Sequence, residues 1–174
     1  MGRVESSEAA TGNGEVARFG GASPQKAPGK GGVSAWQEGI FPEEYMHFRL
    51  REEISRAGRY RHYLSLMMID FASSGGEQEA RSKEERFQYG KQIRSVLRST
   101  DIVFVLDDGK ISIILPETTE RESQYIMDRL RGDIRSKDPI TFGVASYPHD
   151  AGHEVSLIQH ANQRLSRSLG EGES

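Results

Sequence analysis

Ile102-Val103-Phe104-Val105-Leu106, then Asp107-Asp108-Gly109-Lys110, then Ile111-Ser112-Ile113-Ile114-Leu115, is the stretch whose reading decides the fold. Two runs rich in β-branched residues flank four residues of strong turn chemistry, so the spacing predicts a β-hairpin. Working outward, Tyr89, Ile93, Val96 and Leu97 recur on one helical face, predicting a helix that ends near Arg98. Before it, Tyr63 to Phe71 is a continuous apolar run of strand length, as expected of a strand buried on both faces. Ser73-Ser74-Gly75-Gly76 then reads as a loop. Earlier still, Pro42-Glu43-Glu44 is a helix start, because proline is tolerated in the first turn and early acids suit the helix dipole. Met46, Leu50, Ile54 and Ala57 continue it as one stripe. On the other side of the hairpin, Thr118 or Thr119 is placed to cap a helix carrying Ile126, Leu130 and Ile134. Pro139 to Tyr147 reads as a further strand. A last helix uses Leu157, Ala161, Leu165 and Leu169, with Gly170 as its stop. The order α-β-α-β-β-α-β-α, with a hairpin at its centre, predicts an α+β domain: a mixed sheet with helices packed on it.

The composition limits what such a domain can be. The 174 residues suit one domain and a tail, and 35% hydrophobic residues supply one ordinary core. A formal net charge of −3 argues against DNA or RNA as a partner. The absence of cysteine excludes disulfides and thiolate metal sites and is compatible with a reducing, cytoplasmic setting. The N-terminus is polar and acidic, unlike a signal peptide, and no apolar run reaches membrane-span length. Residues 1–39 are rich in Gly, Ser, Ala, Pro and charge, a composition that cannot bury enough surface to offset its ordering entropy; a disordered tail is expected there. Val33, Trp36, Ile40 and Phe41 stand out as residues that can dock the end of that tail on the domain or on a partner. Residues 40–170 form the expected domain and 171–174 a short C-terminal tail. His47, His62, His149, His153 and His160 lack metal-ligand spacing.

Several pieces, in this order and spacing, resemble the GGDEF (diguanylate cyclase) family. Arg56-Ala57-Gly58-Arg59-Tyr60 followed by Leu64 to Asp70 is similar to the family's first long helix and first strand with its terminal acid. Arg98-Ser99-Thr100-Asp101 is similar to its RxxD. Ile111 to Thr118 resembles the strand after the signature turn, Thr141 to Pro148 the late strand, and Ala161-Asn162-Gln163-Arg164-Leu165 the helix usually written ADxAL. The resemblance covers about Phe41 to Gly170. It implies a nucleotidyl-cyclase-like α+β fold and a role in bacterial signalling.

The resemblance also implies where chemistry is lost. The signature turn falls on Asp107-Asp108-Gly109-Lys110-Ile111. Two acids stand where glycines let a triphosphate approach, Gly109 supplies no metal ligand, and Lys110 reverses a charge. Asp70 survives as a vestigial metal candidate, yet one carboxylate is a poor Mg²⁺ site. The family's second acid after the strand is absent from Phe71-Ala72-Ser73-Ser74, no guanine-reading acid aligns near Lys83 or Glu84, and Leu169 replaces a phosphate-binding lysine. The expectation is therefore a domain with no catalytic residues, no metal and no resident cofactor.

An inhibitory-type product site is better matched. Arg98, Asp101 and Arg129 stand where family members bind cyclic-di-GMP. An arginine can fork onto guanine O6 and N7, a carboxylate can accept from guanine N1 and N2, and a second guanidinium can stack or neutralise phosphate. Taken alone, Arg98 and Asp101 suit a helix end that satisfies itself better than they suit a ligand site; Arg129 and the resemblance are what favour the site. Two functions stay open at this point: a non-catalytic cyclic-di-GMP receptor, and a pseudo-enzyme acting through a protein partner without nucleotide. An enzyme with an altered site ranks below both. No sensor segment precedes the domain in this sequence, so input through ligand, tail or partner is expected.

Overall fold

The structure, a computed structural model, describes residues 39–71, 82–137 and 139–171. Its elements run β1 (Ile40–Pro42), a single 3₁₀ turn (Glu43–Tyr45), α1 (Met46–Tyr60), β2 (Leu64–Phe71), α2 (Lys83–Val96), β3 (Ile102–Val105), β4 (Ile111–Pro116), α3 (Glu120–Asp133), β5 (Ile140–Tyr147) and α4 (Glu154–Glu171). The five strands form one sheet in the order β1-β3-β4-β2-β5. β3 and β4 are the expected hairpin, pairing Ile102 with Ile114 and Val105 with Ile111. β2 pairs antiparallel with β4 on one side and with β5 on the other. Only β1 against β3 is parallel. This is the mixed sheet of an α+β domain.

Strand alternation divides the interior into two layers. Leu64, Leu66 and Met68 point to one face of β2, where Leu50 and Ala57 of α1 and Leu157, Ala161 and Leu165 of α4 cover them. Met67, Ile69 and Phe71 point to the other, beneath Ile93 of α2 and Ile126 and Leu130 of α3. A sheet covered on both faces needs apolar residues at successive positions, which is why β2 and β4 read as unbroken runs rather than alternating ones.

Polar side chains fix the ends and edges. Ser82 and Thr119 each make a reciprocal capping box, with Glu85 and Glu122 respectively. At the β5 edge, Arg164 Nη1 donates to the Val144 carbonyl at 2.6 Å, and the same guanidinium holds Asp150 through two bonds of 2.8 and 2.7 Å. Asp150 Oδ2 in turn accepts from the Ser146 N–H at 2.8 Å. Backbone groups that an edge strand would leave open are thus partly occupied. Burial pushes the Asp150 carboxyl up, but Arg164 and the Ser146 N–H outweigh it and hold the group below the usual carboxylate range.

The structure corrects several sequence expectations. Ile40 and Phe41 are not the end of a tail: they belong to β1. The first helix begins at Met46 after a 3₁₀ turn, not at Pro42. Tyr63 lies outside β2 and is exposed. Helix α2 does end near Arg98, at Val96, with Leu97 already extended at φ −91°, ψ 162°. α4 runs through Gly170 to Glu171. β5 starts at Ile140 rather than Pro139. The expected tail residues 1–38 and 172–174 and the loop Ser73–Gly76 lie outside the described residues.

One contact is sterically absolute. A Cβ on Gly143 in β5 would stand 2.1 Å from the Ala161 carbonyl oxygen and 2.4 Å from the Leu165 nitrogen of α4. Since both neighbours are backbone, relief requires α4 to move off the sheet. Gly143→Ala is therefore expected to cost about 3 kcal/mol of unfolding free energy, read as a lower urea midpoint with an unchanged slope. A midpoint equal to the parent's would show that α4 does not approach β5 this closely.

Candidate functional site

The antiparallel register of β2 separates the candidate residues between the two ends of the sheet. Ile69 pairs with Ile111, so Asp70 and the 107–110 turn share one end. Leu64 pairs with Pro116 and Ile102 with Ile114, so Arg98–Asp101 lies at the other. The two sets of residues singled out in the sequence are thereby separated by the length of the sheet.

At the first end the turn is satisfied from within. The Gly109 N–H donates to the Leu106 carbonyl at 3.0 Å and the Leu106 N–H to the Lys110 carbonyl at 2.9 Å, closing the hairpin. Gly109 has φ +93°, a conformation that favours glycine. Asp108 Oδ1 accepts from the Lys110 N–H at 3.1 Å, and its other oxygen pairs with the Lys110 ammonium. Burial acts to raise the Asp108 carboxyl, but Lys110 prevails and holds it below its usual range. The Asp107 N–H donates to Glu43 at 2.8 Å. Arg86, reaching from α2, donates to the Asp107 carbonyl at 3.0 Å. Its Nε lies only 3.2 Å from where a Gly109 Cβ would be, so the guanidinium covers the face of the turn. Asp70 Oδ1 accepts from the Phe71 N–H at 2.8 Å.

At the second end the chain makes a tight reciprocal turn. The Arg98 N–H donates to Asp101 Oδ2 at 2.9 Å, and the Asp101 N–H donates to the Arg98 carbonyl at 3.1 Å. Arg94, one helical turn earlier, uses Nη1 to bond both the Arg98 carbonyl at 2.8 Å and the Asp101 carbonyl at 3.1 Å. Asp101 is not the half-exposed helix-terminal acid that its sequence position suggests: it is buried, in a turn beyond the helix. Burial raises its carboxyl above the usual range, opposed by the Arg98 N–H and by the charges of Arg98, Arg94 and Arg129. Arg129, on α3, is the smallest of the charges that act on Asp101. Arg98 and Arg129 are both exposed, and within the described residues neither guanidinium makes a hydrogen bond or ion pair. Arg98 and Asp101 therefore sit together at one end of the sheet.

Arg94 and Arg86 were not picked out by sequence reasoning. Arg94 lies four residues before Arg98, the spacing of one helix face, and that was the available signal. Nothing local marks Arg86, because its target is a turn twenty-one residues away.

Asp101 carries a sign that can be tested. A folded-state pKa above the unfolded value means that its ionised form costs stability, and the cost grows as pH rises through the window between the two values. Asp101→Asn keeps an oxygen acceptor for the Arg98 N–H and removes the charge, so at neutral pH it is expected to be at least as stable as the parent. Asp101→Ala removes the acceptor and is expected to lose about 1–2 kcal/mol. Thermal unfolding of both at pH 7 checks this; an alanine variant as stable as the asparagine variant would show that the turn does not depend on this carboxylate.

No family model matches the chain. It is 32% identical over 129 residues to the protein described as uncharacterized membrane protein YdaK of Bacillus subtilis, a match taking in 70% of this chain and 41% of YdaK. The chain thus spans less than half of that relative's length. No helix among the described residues is long and apolar enough to cross a membrane. Among solved structures, the GGDEF domain of PA1120 (TpbB or YfiN) from Pseudomonas aeruginosa superposes with a TM-score of 0.65 at 18% identity, covering 76% of this chain and 86% of that one. The GGDEF domain of DgcB from Caulobacter crescentus, solved in complex with c-di-GMP, superposes with a TM-score of 0.59 at 14% identity, covering 75% and 84%. The helix-covered mixed sheet with its central hairpin is, accordingly, the fold of a GGDEF domain.

Proposed function

We propose that this chain is a non-catalytic GGDEF-like signalling domain that binds cyclic-di-GMP through Arg98, Asp101 and Arg129. The observation that carries the reading is a pair of exposed guanidinium groups, Arg98 and Arg129, without a hydrogen bond or ion pair among the described residues, whose charges both act on the Asp101 carboxylate, that of Arg98 acting also on Glu122. Cations normally spend their donors on nearby acids; two left open beside a rigid turn suit a ligand with phosphates and guanine edges. Asp101 has committed one oxygen to the Arg98 N–H, and its other oxygen can accept from a guanine N1 or N2 hydrogen. Arg94 positions the turn through its two carbonyls and need not touch the ligand. The DgcB relative of this fold was solved with c-di-GMP, which supports the same ligand class here.

The absence of cyclase chemistry rests on the opposite end. A nucleotide triphosphate needs open backbone at the hairpin turn and a divalent cation held by clustered oxygens. In this chain Arg86 lies over Gly109, Asp108 is neutralised by Lys110, and Asp70 hydrogen-bonds its own neighbour. A cyclase reaction would have to displace Arg86 and break the Asp108–Lys110 pair.

Calorimetric titration tests the reading. Cyclic-di-GMP is expected to bind the parent, with affinity falling as salt rises. Arg98→Ala, Arg129→Ala and the fold-preserving Asp101→Asn are each expected to weaken it by about ten- to a hundredfold. Binding indifferent to all three substitutions would mean that the ligand sits elsewhere; no binding well into the micromolar range would leave protein contact as the function. GTP with Mg²⁺ or Mn²⁺ is expected to give no cyclic-di-GMP, and product formation abolished by Asp70→Ala would contradict the non-catalytic reading.

A further inference from the structure

Strand β1 is the smallest element of the sheet, and its attachment is one-sided. It holds three residues, Ile40–Pro42, at the sheet edge, paired in parallel with β3 alone. Pro42 brings no N–H to that ladder, and a parallel pair this short contributes few backbone bonds. Side chains supply the rest. Ile40 is buried against α2, where a Cβ on Gly90 would stand 3.3 Å from Ile40 Cδ1. The Phe41 ring lies 5.9 Å from that of Phe104. An element held by so little can lift from the sheet at a small part of the cost of unfolding the domain.

The strand that holds β1 is the one that leaves the Arg98–Asp101 turn. Ile102, the first residue of β3, follows Asp101 directly, and Val103 is the partner of Ile40. The start of β1 and the end of the turn are therefore neighbours, and Arg94 fills the corner between them. Its Nη1 bonds the carbonyls of Arg98 and Asp101 at 2.8 and 3.1 Å. The rest of the side chain lies against Gly39, where a Cβ would stand 3.3 Å from Arg94 Nε and 3.5 Å from Cδ. Gly39 has φ +73°, so both its conformation and its missing Cβ fit the chain to this arginine. Arg94 itself is half-buried on the last turn of α2, a helix anchored in the core by Ile93. With its base fixed, the guanidinium cannot follow one neighbour without changing its contact with the other.

We propose that Arg94 couples the turn to the seat of β1: cyclic-di-GMP at Arg98–Asp101 holds β1 on β3, and a seated β1 strengthens that binding by the same factor. The ligand half rests on the cyclic-di-GMP reading; the Arg94 link between Gly39 and the turn does not. A ligand that engages Arg98 and Asp101 fixes the two carbonyls, the carbonyls fix the guanidinium, and the guanidinium fixes Gly39. Arg94 is thus a positioning residue that need not touch the ligand. β1 is where the chain enters the sheet, so its seat carries the occupancy of the site to the segment before it.

Backbone-amide NMR of the full chain tests both halves. Gly39→Ala, strained by its φ and crowding Arg94, is expected to shift the Ser99, Thr100 and Asp101 amide signals of the ligand-free protein. It is expected to leave them in place when Arg94→Met is already present. Under saturating cyclic-di-GMP, hydrogen exchange of the slower of the Ile40 and Phe41 amides is expected to fall at least about fivefold in the parent, and to stay unchanged in Arg94→Met. Arg94→Lys keeps the charge but cannot bridge two carbonyls and Gly39 together; with thermal unfolding close to the parent's, it is expected to lose most of the effect. Turn signals that Gly39→Ala leaves unmoved, or moves equally without the Arg94 guanidinium, overturn the link. Ligand binding that leaves β1 exchange unchanged, or slows it equally in both Arg94 variants, overturns the coupling and leaves the ligand reading standing. Turn signals that move as expected in a parent that binds no cyclic-di-GMP uphold the Arg94 link, and refute the ligand reading and the coupling with it.

Discussion

Strand β2 is hydrogen-bonded along both edges and buried on both faces, and the rest of the domain is arranged around that constraint. Pairing with β4 and β5 satisfies its backbone on both sides. Its side chains then have to be covered alternately by α1 with α4 and by α2 with α3. A one-residue slip of β2 against β4 would exchange the two apolar layers and would also separate Asp70 from the hairpin turn, so the packing that stabilises the sheet also sets its functional geometry. The close approach of α4 at Gly143 and the Arg164–Asp150 clamp hold the β5 side of this arrangement.

The long elements were legible in the sequence because each is a periodic apolar pattern bounded by turn or cap residues. The 102–115 hairpin, the two-faced burial of β2 and the Thr119 cap followed from such signals. β1 was not legible. Three residues make no period, Pro42 reads as a helix start, and the parallel pairing of Ile40 with Val103 joins positions sixty-three residues apart. The end of α2 was legible to within two residues. Asp101 takes the Arg98 N–H and Arg94 takes two carbonyls, and this side-chain chemistry ends the helix earlier than hydrophobic spacing indicates. Arg98, Asp101 and Arg129 were found through their likeness to a family pattern, whereas the burial of Asp101 and the support from Arg94 exist only in three dimensions.

The same residue types do opposite things at the two ends of the sheet. At the hairpin turn Lys110 pairs with Asp108, and Arg86 donates to the Asp107 carbonyl and lies over Gly109, its buried Nε without a hydrogen-bond partner among the described residues. At the far end, Nη1 of Arg94 bonds two carbonyls of the turn, while the guanidinium groups of Arg98 and Arg129 make no hydrogen bond or ion pair among the described residues. Charge that is internally paired contributes local order and little recognition; charge held open on a rigid turn is pre-organised for a ligand. This contrast is the physical basis for the proposal that a ligand meets the Arg98 end and not the 107–111 turn.

That assignment is tested most directly by residue-resolved NMR of the full chain, following backbone amides and arginine Nε–H groups during separate titrations with cyclic-di-GMP and with GTP plus Mg²⁺. The account predicts that cyclic-di-GMP shifts the signals of residues 98–101 and of Arg129, and that GTP with Mg²⁺ leaves Asp70 and residues 107–111 where they were. Saturable shifts at Asp70 and the 107–111 turn with GTP, and none at Arg98 or Arg129 with cyclic-di-GMP, would contradict it.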